Sequence, residues 1–358
     1  MSPFGLMLLA CVAHKEAAPT APAEVPTPVL PSPDARRYAL GLTSPRDVLV
    51  ARFVAEGALP WEESLSGAAT TLALDRSPPS LRAARWAAVR AGYPYPVVHV
   101  ISGRMPAGEL PGEMLPALQR SLKPGDHLGL VRARDLKDDR WVALIGRPVA
   151  RVEPFSRELG LGEPLQLSAE EPGRWLLVSP TGALLEGALP LDQPLSEDGE
   201  WWLELRSDAG QPWVGLPVYV AMPTPKGPIF DAGAAPTSPI TAVNEAGRLL
   251  GELRQAFGLP GLTVEPVLHS LARLPLQEAL EGRFRQAAAE QRLRGAGFVG
   301  GPVASLSCVA PTVVDCIEGL LQRAEDRSRL LDRGNRVYGG AAEVSTDGLT
   351  LVLHLASE

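Results

Sequence analysis

At 358 residues and 45% hydrophobic content, the chain is too long for one ordinary domain, and it has apolar side chains enough for real cores, which excludes wholesale disorder. The formal net charge is −7, and no Lys/Arg block dominates any segment, which excludes nucleic acid as the expected partner. Only Lys15, Lys123, Lys137 and Lys226 are lysines among 34 basic residues, a bias that reads as GC-rich codon usage rather than function.

The first residues, "MSPFGLMLLAC", form an apolar run ending in Leu8-Leu9-Ala10-Cys11, the pattern of a lipobox, whose Cys is lipidated and becomes the mature N-terminus. No Lys or Arg precedes Cys11, unlike the basic start of a typical secretory signal. The run is too short to span a bilayer. The Pro- and Ala-rich stretch to Asp34 buries nothing and favours extended backbone, as a tether does. Residues 1–34 are therefore read as lipoprotein signal and tether of an exported bacterial protein, held to the membrane by its N-terminal lipid.

Residues 35–150 read as helices followed by a β-hairpin. "SPRDVLVARFVAEGAL" offers Ser44 as N-cap with Pro45 in the first turn, and "SPPSLRAARWAAVRAGY" offers Ser80 as N-cap and Gly92 as stop. A third helix fits "GELPGEMLPALQRSL"; "DHLGLVRARD" and "RWVALIGRPVARVEPF" then form two strands around a polar turn. On this reading, residues 35–105 are mostly helical. Residues 151–222 contain short apolar runs separated by Gly, Pro, Asp and Ser, the spacing of a small antiparallel β-sandwich, immunoglobulin-like in architecture. Trp201 and Trp202 share one strand and must face opposite sides, one toward the core and the other exposed or at a domain contact. Residues 223–239 read as a second linker. Helices follow at 240–259, 266–281, 283–295 and 312–330, and two strands joined by a Thr-Asp-Gly turn close the chain. That hairpin and the one at 127–145 both follow helices, a weak hint of two copies of one unit.

Of the three cysteines, Cys308 and Cys316 remain once Cys11 carries lipid. In an exported protein they are read as a disulfide; two free buried thiols are the alternative. Their spacing, with no nearby His, fits no common zinc pattern.

Residues 240–358 resemble the CAP superfamily, the group of cysteine-rich secretory, antigen 5 and pathogenesis-related (SCP-like) proteins. "LLGELRQAFGLPGLTVEPVLHSLA" resembles the family's opening helix, with Arg254, Gly258, Leu259, Pro260, Leu262, Pro266, Leu268 and Ala272 in place. "QRLRGAGF" resembles the stretch before the site loop, "AEDRSRLLD" resembles "S-P-x-H-R-x-x-L-L", and Gly339-Gly340 resembles the family's "G-V-G" strand pair. The resemblance implies an α-β-α domain with two His and two acids in a central cleft, a set suited to a zinc-like ion. This chain departs at each of those positions: the helix Asn falls at Gly251, the first His at Pro275, the acid near Pro302 to Ser305, and the second His at Asp326. His14, His99, His127, His269 and His354 fall elsewhere and are read as surface or satisfied core residues. Glu325 and Asp326, with Arg323, Arg327 and Arg329 nearby, read as a solvated, Arg-paired turn.

The expected fold class is α+β and multi-domain: a helical domain with a hairpin, a β-sandwich, and a degenerate CAP-like domain. The expected function is that of an envelope module, not an enzyme and without cofactor, that binds an unidentified protein, glycan or lipid. A hydrolase with an inter-domain site, or a lipid or sterol carrier, are the alternatives.

Overall fold

The computed structural model describes residues 37–40, 44–74, 78–134, 138–225, 227–346 and 348–357. The lipobox with Cys11, the tether and His14 lie outside these residues. Helices and mainly antiparallel sheets coexist, an α+β protein. Among the described residues, no helix is long and apolar enough to cross a membrane.

The first unit contains β1 (Arg37–Tyr38), α1 (Val48–Glu56), α2 (Glu63–Leu74), α3 (Leu81–Arg90), β2 (Val97–Pro106), α4 (Met114–Ser121), β3 (His127–Arg134) and β4 (Asp138–Gly146). Its sheet has the order β2-β4-β3. The reading of 35–105 as mostly helical is corrected by β2, whose Val97, Val98, Val100 and Ile101 suit a pleated surface and pair along the whole of β4. The first helix also starts later than Ser44: Asp47 caps it, accepting from the backbone N–H of Leu49 and Val50. Ser80 caps α3 as expected. Helix α2 packs on the sheet so closely that a Cβ at Gly129 would sit 2.4 Å from the Leu65 carbonyl, so only glycine fits there.

The second unit contains β5 (Phe155–Ser156), β6 (Glu158–Leu159), β7 (Pro164–Leu167), β8 (Gly173–Val178), β9 (Leu184–Ala188), β10 (Leu191–Pro194), β11 (Gly199–Ser207) and β12 (Pro212–Val220). A five-stranded sheet in the order β6-β12-β11-β8-β9 faces the β10-β7 pair, and β1 pairs with β5. Both tryptophans are buried. Trp201 enters a core that runs without a break from α2 and α3 of the first unit through the sandwich, while Trp202 packs with Ala324 of the third unit.

The third unit contains α5 (Pro239–Ala256), β13 (Thr263–Val264), α6 (Pro266–Leu271), α7 (Arg273–Leu280), α8 (Gln286–Gly295), β14 (Val303–Ala310), α9 (Val313–Leu321), α10 (Ala324–Leu331), β15 (Val337–Ser345) and β16 (Gly348–Ala356). The sheet order is β13-β15-β16-β14. Helices α5 and α9 bury Leu250, Leu253, Ile317 and Leu320 against Leu351, Leu353 and Leu355 on one face. On the other face, α6 and α8 bury Leu268 and Leu293 against Val303 and Val337. The helical run expected at 312–330 breaks at Gln322-Arg323 into α9 and α10. The segment read as a linker is anchored, because Phe230 is buried in the α5–α9 core and its carbonyl accepts from Arg82 of α3 at 2.5 Å.

Arg254 is wholly buried at the end of α5. Its guanidinium donates to four main-chain carbonyls, those of Pro260 (2.7 Å), Leu330 (3.0 Å), Asp332 (3.1 Å) and Asn335 (3.2 Å). Burial depresses its pKa, yet the planar fork satisfies acceptors on three segments at once. Arg254→Lys keeps a charge but loses the fork, and is expected to lower unfolding free energy by about 3 kcal/mol or more in denaturant titration, since several buried carbonyls lose their donors.

Candidate functional site

The positions that the resemblance singles out lie on four different elements. Gly251 is on α5, on one face of the sheet, and a Cβ there would meet nothing within 4 Å. Pro275 is buried on α7, which lies on the other face with α6 and α8. Ser305 of β14 shares that second face with Val303. Asp326 is on α10, at the free edge of β14, where Arg323 reaches the Ser307 carbonyl (3.5 Å) and Arg329 reaches Glu290 of α8 (3.3 Å).

Around that edge lies a shallow groove of about 470 Å³. Ser307, Cys308 and Val309 of β14, Asp315 of α9, Phe284 from the α7–α8 turn and Arg323 line it. The Cys308–Cys316 disulfide, with Cα atoms 5.6 Å apart, ties β14 to α9 within the lining. The polar groups here are engaged: Asp315 accepts from the Thr312 hydroxyl (2.7 Å), and Arg323 pairs with Asp326 (2.7 Å). Among the described residues, no group of three or more His, Cys, Asp or Glu gathers as a metal could require.

The reading of 325–326 as a solvated turn is corrected. The stretch opens a helix whose Asp326 and Arg327 are buried, and whose N-terminal turn is held by the sandwich. Glu204 of β11 accepts from the Ala324 N–H (2.7 Å), supplying the cap that Arg323 does not. Arg206 bridges Glu204 (2.5 Å) and both carboxylate oxygens of Glu325, whose pKa it lowers against the effect of burial. Arg327 pairs with Glu200 (2.7 Å), and its guanidinium lies 5.2 Å from the Trp202 ring centre and 5.3 Å from that of Phe257. Ser328 donates to the Gly182 carbonyl at 2.6 Å. Gly182 has φ +88°, and a Cβ there would sit 2.6 Å from the Leu331 carbonyl carbon, so glycine is required twice over. Leu330 and Leu331 fill the third unit's core.

The histidines are spread out. His99 is exposed, and His127 meets Tyr93 in the first unit. His269 Nδ1 lies 2.8 Å from the Gly340 carbonyl and 3.0 Å from the Gly340 nitrogen, covering the edge of β15. His354 is buried opposite Ser305 in the β14–β16 register, and burial pushes its pKa down to about 4. Among the described residues, its Nδ1 and the Ser305 hydroxyl both lack a partner. The spacing of single residues gave no sign of this Ser305–His354 juxtaposition, because it depends on the strand register.

The sequence matches no family model and no curated protein sequence. Solved structures are similar to parts of the chain. An outer surface protein of Borrelia burgdorferi is 15% identical, with TM-score 0.29, over 32% of this chain and 91% of that one. A cysteine-rich secretory protein of Staphylococcus aureus is 16% identical, with TM-score 0.31, over 46% of this chain and 57% of that one. An extracellular protein of Bacillus anthracis containing a SCP domain is 13% identical, with TM-score 0.28, over 55% and 68%.

Asp326 carries a testable sign. Burial raises its carboxyl pKa, and the attraction of Arg323 and Arg329 only partly opposes this. The folded state therefore holds the proton more tightly than the unfolded chain does, and stability falls as pH rises from the unfolded pKa through the folded one. Asp326→Asn is expected to stabilise the protein at pH 7 by about 1 kcal/mol. The gain should vanish in melts below the unfolded Asp pKa, where both states are protonated.

Proposed function

We propose that this is an exported, lipid-anchored bacterial envelope protein whose third unit is a degenerate CAP-like module that binds or braces rather than catalyses. The observation that carries the reading is the commitment of α10. The resemblance would place a metal-binding His at position 326, beside acids and a second His across a cleft. Here the same helix presents Glu325, Arg327 and Ser328 to the sandwich, and Asp326 is held by Arg323. The helix's charged side chains are engaged by the sandwich, by Arg323 and by Glu290 of α8 rather than turned toward a substrate. Arg82 of α3 adds a second brace, pairing with Glu318 of α9 at 2.5 and 2.6 Å. The three units thus offer outer surfaces for a protein, glycan or lipid partner, with the third fixed in orientation.

Isothermal titration of the full chain with zinc tests the loss of the metal site. No heat that depends on position 326 is expected, so wild type and Asp326→Ala should behave alike. Stoichiometric zinc uptake abolished by Asp326→Ala would overturn the reading. The anchor is tested separately: Cys11→Ser is expected to move the protein from the membrane pellet to the soluble fraction of its host.

A further inference from the structure

The first unit carries a second shallow cavity, wide open to the surface and remote from α10. It has a volume of about 560 Å³ and opens between the α1–α2 loop and the α4–β3 loop. Leu59, Pro60 and Leu122 give it apolar walls, and Lys123, Asp126 and His127 give it a polar end.

The polar end is ordered from behind. Asp126 is buried and receives two parallel bonds from Arg147, at 2.8 Å each, together with the Lys123 backbone N–H (2.9 Å). Its charge is thereby neutralised and its oxygens are occupied. His127 is half-buried. Tyr93 Oη lies 3.2 Å from its Nδ1, and the Tyr93 and Tyr95 rings stand edge-on to the imidazole, with centroids 6.0 Å away. Where the Tyr93 hydroxyl donates to Nδ1, the neutral imidazole carries its proton on Nε2. Burial holds the His127 pKa below its usual value, although Glu62 and Asp126 pull it up, so the neutral form is the one present at pH 7. Nε2 has no protein partner among the described residues, and His127 lines the cavity. The lining also includes Ala58, held at φ +47°, a left-handed conformation that costs an alanine about 1 kcal/mol.

We propose that this cavity is a binding site for an organic monocarboxylate, with His127 Nε2–H and the Lys123 ammonium donating to the carboxylate and Leu59, Pro60 and Leu122 receiving the apolar body. Two donors suit two oxygens. The volume exceeds what the carboxylate group alone would fill, which calls for a ring or alkyl body. Such a carboxylate is found on free small acids and at the C-terminus of a peptide.

The test uses the full chain lacking only the lipid, with the His127 imidazole resonances followed by NMR. Benzoate is expected to shift them saturably, whereas benzamide, of the same shape but uncharged, should bind at least about tenfold more weakly. Lys123→Met should weaken benzoate by about tenfold while leaving the melting temperature unchanged, since Lys123 is exposed. His127→Gln, which keeps an N–H donor, should retain more affinity than His127→Leu. A tripeptide ending in a free Leu carboxylate, compared with its amide, separates the two sources: tighter binding than benzoate assigns the site to chain termini, weaker binding to free acids. Equal affinity for benzoate and benzamide, or no saturable shift with either benzoate or the peptide, would overturn the proposal.

Discussion

A single guanidinium organises the third unit. Arg254 has no carboxylate within its shell of hydrogen bonds, and its contacts are backbone carbonyls from the α5–β13 turn, from the end of α10 and from the loop that follows. A charge taken this far from water stays only because every lobe of the fork meets an oxygen. The cost of the arrangement is what makes it specific: any displacement of α10 along its axis would break two of the bonds and leave the charge stranded. The C-terminal end of α10 is therefore set from inside its own domain.

The other end is set from outside. Glu204 and Arg206 reach from β11 to the first turn of α10, and Arg327 lies between Trp202 and Phe257. At the last turn the hold from within is joined by a contact from the sandwich, where Gly182 lets the β8–β9 turn approach Leu331. Held at both ends, α10 acts as a tie between sandwich and third unit rather than as the lip of an open cleft. The same logic governs α3 and α9, where Arg82 binds both Glu318 and the Phe230 carbonyl, so that the connector after β12 is a strap.

Much of the element order was legible because it rests on local chemistry. Ser80 caps α3, Gly92 stops it, and the runs around Trp175, Trp201 and Trp213 became strands of one sheet. The Trp201/Trp202 alternation correctly split the pair between two environments, although both proved buried. The errors share a cause. Residues 97–106 were hidden by the helical pattern before them, and only pairing with β4, distant in sequence, reveals the strand. The acidic and basic run at 323–329 looked solvated because charges usually are. Its partners, Glu200, Glu204 and Arg206, lie about 120 residues earlier, and no local pattern announces a pairing over that distance. The Ser305–His354 and Tyr93–His127 pairs were unreadable for the same reason.

The carboxylate at position 204 has one more implication. A helix normally finds its first acceptor in its own preceding residue, which makes its start an autonomous event in folding. Here the start of α10 is written in a strand that belongs to another part of the polypeptide. The third unit thus inherits a folding instruction from its neighbour. A duplication or transfer of the gene segment for 240–358 alone would arrive with that helix unlatched, so in this lineage the two units are expected to be inherited together.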